Sequence, residues 1–443
     1  MSASKNAMAA EVNGGVDDPT ILISSDGHAM PKMDDYRPYL PSRMHEDFDA
    51  FCDAYREHGA RNTDPVALAA LHDPDVVEAW RREVVEPGYL EGISDPHARI
   101  REQDREGCAA EVLHPDFGLP FELGSSRLRL LFPQFERTPE QLDAGQKAHN
   151  RWLVDFMSVA PQRFAGLATV SFDDVDAAIE EIRWAKEAGF KGVMLPHFDE
   201  KVPLYDACFD PIWSTAEELE MPVNSHGALS SVTRRLVTET PGVPHPSCGL
   251  AIRHRPLFFH CHQMLSHFIF GGVLERHPNL KLVLTEQGSY WTVGALQTMD
   301  YTYDGSYAKR DIREVVRLKP SEYFERQCAL GSSLFSLAEM QVRHEMGIDK
   351  MMLGFDYPHH EGAWAAGPGL VAYCRATLGA ASVPPEEARK LLSENAARVW
   401  GFDLDALGAI AGRIGPSMEA LLTPPETDEY PRGDVHKPLA MAH

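Results

Sequence analysis

The chain has 443 residues, 44% of them hydrophobic and 24% charged, globular proportions that exclude wholesale disorder. Lys and Arg total 42 against 66 Asp and Glu, a formal net charge of −24, and a field of that sign excludes nucleic acid and membrane surfaces as partners. The seven cysteines are scattered without a C-x-x-C pair, the N-terminus has no apolar signal-type core, and no run of about 18 apolar residues occurs, so the expectation is a cytoplasmic chain without a disulfide framework or thiolate zinc site.

Residues 1–18 are small and polar and are expected as a tail. Short β-rich segments then recur at 21–25, 110–114, 165–171, 192–196, 222–225, 280–285, 328–331 and 351–355. Several, KLVLTE and KGVMLPH among them, are continuous apolar runs, the pattern of parallel strands buried on both faces. Most are followed by helical pattern. In 173–189, Asp opens the first turn, Lys186 sits in the last and Gly189 is the stop. Eight strands alternating with helices predict an α/β fold, a closed (β/α)8 TIM-like barrel over 19–402. An open doubly wound sheet uses the same grammar, but the count of eight favours closure.

Two connections are long. Residues 29–109 are expected as a helical insertion between strands one and two that covers the barrel mouth. Residues 227–279 separate strands five and six and carry His245, His254, His260, His262 and His267. Loops of this length are usually functional or separately structured. Residues 403–443 follow as a C-terminal extension, Pro-rich and polar toward the end.

The chemistry sits where strands end: SSDGHAMP, MLPHF, VNSHG, LTEQG and LGFDYPHHEG. In an α/β barrel the C-terminal strand ends converge on the face where active sites are found. Asp26 and His28 are two apart, so a strand points both the same way. His197, His226, Glu286 and Asp356 are expected beside them, three imidazoles and three carboxylates able to bind divalent metal and move protons. Any one of these alone is more often a cap or turn former; six at corresponding strand ends are hard to ascribe to chance. His359 and His360 follow Asp356 as supporting donors or a leaving-group acid, with turn and cap roles as the plain alternative. His114 and Asp116 either face substrate or start the next loop. Gly331-Ser332-Ser333 lacks a G-x-S-x-G elbow, which argues against a serine hydrolase.

The D-x-H after strand one, the His-ended strand five, LKLVLTEQG and LGFDYPHHEG together resemble the amidohydrolase superfamily over roughly residues 20–402. The nearer match is its amidohydrolase-related branch, which includes aminocarboxymuconate-semialdehyde decarboxylase and the resorcylate decarboxylases. The resemblance implies a metal-dependent barrel catalysing hydrolysis or, in that branch, nonoxidative decarboxylation, and a homodimer. His28 matches the second His of the family's H-x-H, and Asp26 stands where the first His often is. His226 matches the strand-five metal ligand. Asp356 matches the strand-eight Asp that binds metal or shuttles a proton. Glu286 departs from the pattern, because the decarboxylases generally have a catalytic His there. His197 stands where binuclear members carry a bridging carboxylated Lys or Glu.

Three carboxylates packed together repel strongly unless cations neutralise them. The expectation is therefore two divalent transition-metal ions held by Asp26, His28, His197, His226, Glu286 and Asp356, with Fe or Mn favoured over Zn by the oxygen-rich ligand set. Asp356, Glu286 and His359 are the expected catalytic groups. The leading reading is hydrolysis of a small-molecule amide, ester, lactone or thioester by metal-activated water. A nonoxidative decarboxylase of the same fold is the first alternative, and a non-catalytic binding barrel the second.

Overall fold

The computed structural model describes residues 18–58, 73–116, 118–121, 137–196, 202–226, 243–245, 248, 260–286, 288–306, 308–359, 362–364 and 369–426. Eight strands pair in chain order, every neighbour parallel: β1 (Ile23–Ser24), β2 (Ala110–Leu113), β3 (Phe164–Thr169), β4 (Gly192–Met194), β5 (Val223–His226), β6 (Leu282–Thr285), β7 (Cys328–Ser333) and β8 (Met351–Gly354). The two ends of the sheet meet. Ser25 N–H donates to the Leu353 carbonyl (2.6 Å), Asp356 N–H to the Asp26 carbonyl (3.0 Å) and His28 N–H to the Tyr357 carbonyl (2.7 Å). The barrel is thus nearly closed, and its seam runs through the segments that carry Asp26, His28 and Asp356.

Every strand residue is buried, which is why the strands read as apolar runs rather than alternating ones. One apolar cluster gathers Ile23, Val112, Leu167, Met194, Val283 and Met352 from six strands with Trp400, Leu407 and Ile410 from near the C-terminus. Trp400 packs beside Gly192, the first residue of β4, and Thr20 N–H donates to the Pro416 carbonyl (2.7 Å). The helices Asn395–Trp400 and Leu404–Ile414 therefore plug the N-terminal end of the barrel, opposite the candidate site. The first part of the stretch expected as an extension is barrel core; 427–443 lies outside the described residues.

Between β1 and β2 the described residues form several helices, including His45–His58, Pro74–Trp80 and Pro96–Glu106. The last is delimited by local chemistry: Asp95 accepts from His97 N–H, Pro96 opens the first turn, and Gly107 ends it in the left-handed region. The helix Val175–Glu187 follows β3, capped by Asp174 one residue inside the expected start. After β5, the helix His260–Phe270 buries Cys261 at its start; Arg253, His254 and Arg255 lie outside the described residues. No described helix is long and apolar enough to cross a membrane.

Candidate metal centre

Asp26 is the hub. Its Oδ1 lies 3.2 Å from His226 Nε2, 3.5 Å from His114 Nδ1 and 3.6 Å from His28 Nε2. Its Oδ2 accepts from the Ser333 hydroxyl at the end of β7. His28 Nε2 is also 3.1 Å from Asp356 Oδ1. Asp26, His28 and His226 each offer a ligand atom within 4.8 Å of the other two, and so do His28, Asp356 and His359. The two triads share His28, and all five residues are at most 3% exposed.

The tautomers explain what such a cluster is for. His28 Nδ1 faces the Pro115 carbonyl at 3.0 Å, an acceptor only, so Nδ1 donates there and Nε2 is the nitrogen left to face the cluster. It lies between the Asp26 and Asp356 carboxylates. His226 repeats the arrangement, with Nδ1 at ion-pair distance (3.1 Å) from Glu286 Oε2 and Nε2 toward Asp26. Imidazole nitrogens this close to carboxylate oxygens need a proton or a metal ion between them. Metal-binding histidines are held in this way, with the other ring nitrogen on a carbonyl or carboxylate. Nitrogen–oxygen separations of 3.1–3.6 Å suit donors sharing an ion at bonds of about 2.0–2.2 Å. The donor set fits a divalent transition metal, with Asp26, His28, His226 and Asp356 as the residues that would hold it.

The electrostatics agree. Burial alone would raise the Asp26 carboxyl, but His226, His114 and His28 outweigh it and hold it well below the carboxylate range. Burial opposes charge on His226, yet Glu286 and Asp26 lift it to about 10. His114 is driven well below its ordinary value, by burial and then by the neighbouring His226. Burial raises Asp356. His359, with Nδ1 2.9 Å from Asp356 Oδ1 and Nε2 3.3 Å from Asp116 Oδ1, is raised well above its ordinary value; burial opposes, but the two carboxylates prevail. Its ring stacks on His28 with centroids 4.2 Å apart. Without a metal, the cluster collects protons in its place.

Glu286 (φ 73°) and Asp356 (φ 56°) both occupy the left-handed region, uncommon for side-chain-bearing residues and concentrated at functional sites. Both sit just past a strand end, where the chain turns out of the barrel wall.

Of the residues expected at the site, Asp26, His28, His226, Asp356 and His359 converge. Glu286 reaches the cluster through the far nitrogen of His226. His197 and His360 lie outside the described residues. Three partners are added. His114 is fully buried, its Nδ1 near the Gly27 carbonyl (3.4 Å) and Asp26, its Nε2 without a hydrogen-bond partner among the described residues. Asp116 holds His359. Ser333 was hidden because β7 runs two residues beyond its expected end, through the small polar Ser332 and Ser333, which carry little strand signal.

A family model described as Amidohydrolase matches residues 121–402, well over half of the chain. The chain belongs to the amidohydrolase family. Among curated relatives, the 2-amino-3-carboxymuconate-6-semialdehyde decarboxylase of Dictyostelium discoideum is 25% identical over 272 residues, 60% of this chain and 67% of that protein. The gamma-resorcylate decarboxylase of Rhodococcus jostii is 24% identical over 298 residues, 62% of this chain and 83% of that protein. Among solved structures, an amidohydrolase from Mycobacterium avium subsp. paratuberculosis superposes with a TM-score of 0.62 at 19% identity, covering 86% of this chain and 99% of that one. A 5-carboxyvanillate decarboxylase from Novosphingobium aromaticivorans, with bound manganese, gives 0.59 at 18% identity, covering 87% and 99%. These structures share the fold. This amidohydrolase-family enzyme thus carries, at the C-terminal end of its barrel, a ligand set that fits a metal.

Proposed function

We propose that this amidohydrolase-family member is a metal-dependent nonoxidative decarboxylase of a small carboxylate substrate. The observation that carries the reading is the seat of Glu286 behind His226. The hydrolytic reading of the sequence used Glu286 and His197 to hold a second ion. With Glu286 engaged on the far nitrogen of His226, Asp26, His28, His226 and Asp356 are the donors that would hold a single ion. The curated relatives named above are decarboxylases, which supports the same reaction class, and one structural neighbour carries manganese.

A divalent cation held by Asp26, His28, His226 and Asp356 would supply positive charge for substrate oxygens and for the electrons left on carbon. The chain's own residues do the rest. Ser333 fixes Asp26 so that Oδ1 faces the imidazoles. The Pro115 carbonyl and Glu286 aim His28 and His226. Loss of carbon dioxide leaves an electron pair on carbon that must take one proton. His359, between Asp356 and Asp116, holds a proton at the cluster edge, and Asp356 exchanges it across 2.9 Å. The cluster is buried, and a low-polarity setting disfavours a localised substrate carboxylate relative to the charge-dispersed transition state.

The test is manganese-loaded protein assayed for carbon dioxide release on a panel that begins with the carboxylates after which the relatives are named, γ-resorcylate and 5-carboxyvanillate, and extends to other hydroxy- and amino-substituted carboxylates. Metal-dependent release on at least one compound is expected. Ester, lactone or thioester cleavage without release on any carboxylate would return the protein to the hydrolytic reading.

A further inference from the structure

We propose that the buried Arg99–Glu111 ion pair is a positioning device for the metal centre, locking the segment that carries Asp26 and His28 against the segment that follows Asp356. The inference rests on the metal-centre reading above.

Arg99 is 1% exposed and Glu111 fully buried. Arg99 comes from the helix Pro96–Glu106 of the insertion and Glu111 from β2. They form a two-pronged pair, Nε to Oε2 at 2.7 Å and Nη2 to Oε1 at 2.8 Å. Arg99 Nη1 donates to the backbone carbonyl of His28 at 3.0 Å. The guanidinium lies 3.8 Å over the ring of Tyr357, the residue after Asp356, whose hydroxyl donates to the Tyr89 carbonyl at 2.6 Å. One planar cation thus joins the insertion, β2, the β1 end and the β8 end.

Gly27, between the two ligands, reports how tightly this is built. A Cβ there would lie 1.9 Å from Glu111 Oε1 and 2.9 Å from Arg99 Nη2. The glycine of the D-G-H stretch is therefore required by the ion pair packed against it. A buried ion pair is seldom more stabilising than an apolar pair of the same volume. An apolar pair cannot donate to the His28 carbonyl or set the plane of Tyr357. What the ion pair supplies is placement.

Metal-free protein titrated with Mn2+, with a parallel Co2+ absorption spectrum as a report on ligand geometry, tests this in wild type, Arg99→Lys and the double variant Arg99→Met/Glu111→Leu. Arg99→Lys keeps a charge beside Glu111 but presents a point donor in place of the fork. The double variant leaves no unpaired buried charge. Both are expected to bind Mn2+ about 10-fold more weakly or worse, the scale of outer-shell losses at metal sites, with shifted Co2+ bands and retained circular dichroism. A folded variant of either kind with wild-type Mn2+ affinity and an unchanged Co2+ spectrum would overturn the proposal. Wild-type protein that binds neither ion would remove the metal-centre reading and this inference with it, which separates the two failures.

Discussion

Glu286 Oε2 lies 3.1 Å from His226 Nδ1, while the other nitrogen of that ring faces Asp26 at 3.2 Å. The carboxylate thereby sets which nitrogen presents its lone pair to the cluster. Glu286→Gln removes the charge and keeps the shape. It is expected to weaken Mn2+ binding about 10-fold without changing a stoichiometry of one ion per chain, measured by elemental analysis after equilibrium dialysis. A wild-type stoichiometry of two, falling to one in the variant, would make Glu286 a ligand of a second ion.

Ser333 offers a separate check, because its hydroxyl is the donor to Asp26 Oδ2. Ser333→Ala leaves that oxygen without this partner in a buried position. The expected cost is about 1.5–3 kcal/mol in denaturant unfolding of the metal-free protein, the range for hydrogen bonds to charged groups. A loss below about 0.5 kcal/mol would place the hydroxyl outside the network.

The pH dependence of the metal-free protein follows from the signs. His226 is raised to about 10 in the folded state, against about 6.5 unfolded. Its contribution to stability is complete below about 6.5 and is lost as pH rises toward 10. His359 is shifted the same way. On the acid side, Asp26 is depressed, so its contribution is present above about 3.9 and lost as pH falls. His114, held neutral by burial, makes folding less favourable below about 6.5. Thermal unfolding should therefore show a maximum on the acid side of neutrality, with an alkaline decline beginning near 6.5. Mn2+ should flatten that decline and release protons on binding, read by calorimetry in buffers of differing ionisation enthalpy. A flat profile from pH 6 to 9 would contradict the assignment of the buried charges.

His359→Gln addresses catalysis apart from binding. The amide keeps hydrogen-bonding atoms but cannot hold a transferable proton between Asp356 and Asp116. Turnover is expected to fall about 10²–10⁴-fold, with Mn2+ affinity within a few-fold of wild type. Equal losses in both would make His359 a metal ligand instead.

The strand ends were legible because each is a short apolar run followed by a polar chemistry-bearing residue, and in a barrel that local fact has a global consequence: Asp26, His28, His226 and Asp356 had to meet. Glu286 was legible as a member of the site, but its partner was not, since which side of an imidazole a carboxylate faces depends on the backbone turn at φ 73°. Arg99 sits in PHARIREQDRE, which reads as a solvated charged helix. Its burial comes from Glu111 on β2, Tyr357 after β8 and the His28 carbonyl, long-range partners that no local pattern encodes. Leu407 and Ile410 lie in the stretch read only as an extension, and nothing local showed that their apolar face fills the foot of the barrel.

The most direct measurement of the reaction class follows a single turnover of an accepted substrate in water carrying both deuterium and oxygen-18. A decarboxylase held together as described releases carbon dioxide stoichiometrically and places one solvent deuterium on the carbon that carried the carboxyl, with no oxygen-18 in the organic product. Oxygen-18 in a product carboxylate, with no carbon dioxide released, would contradict the account and make the enzyme a hydrolase.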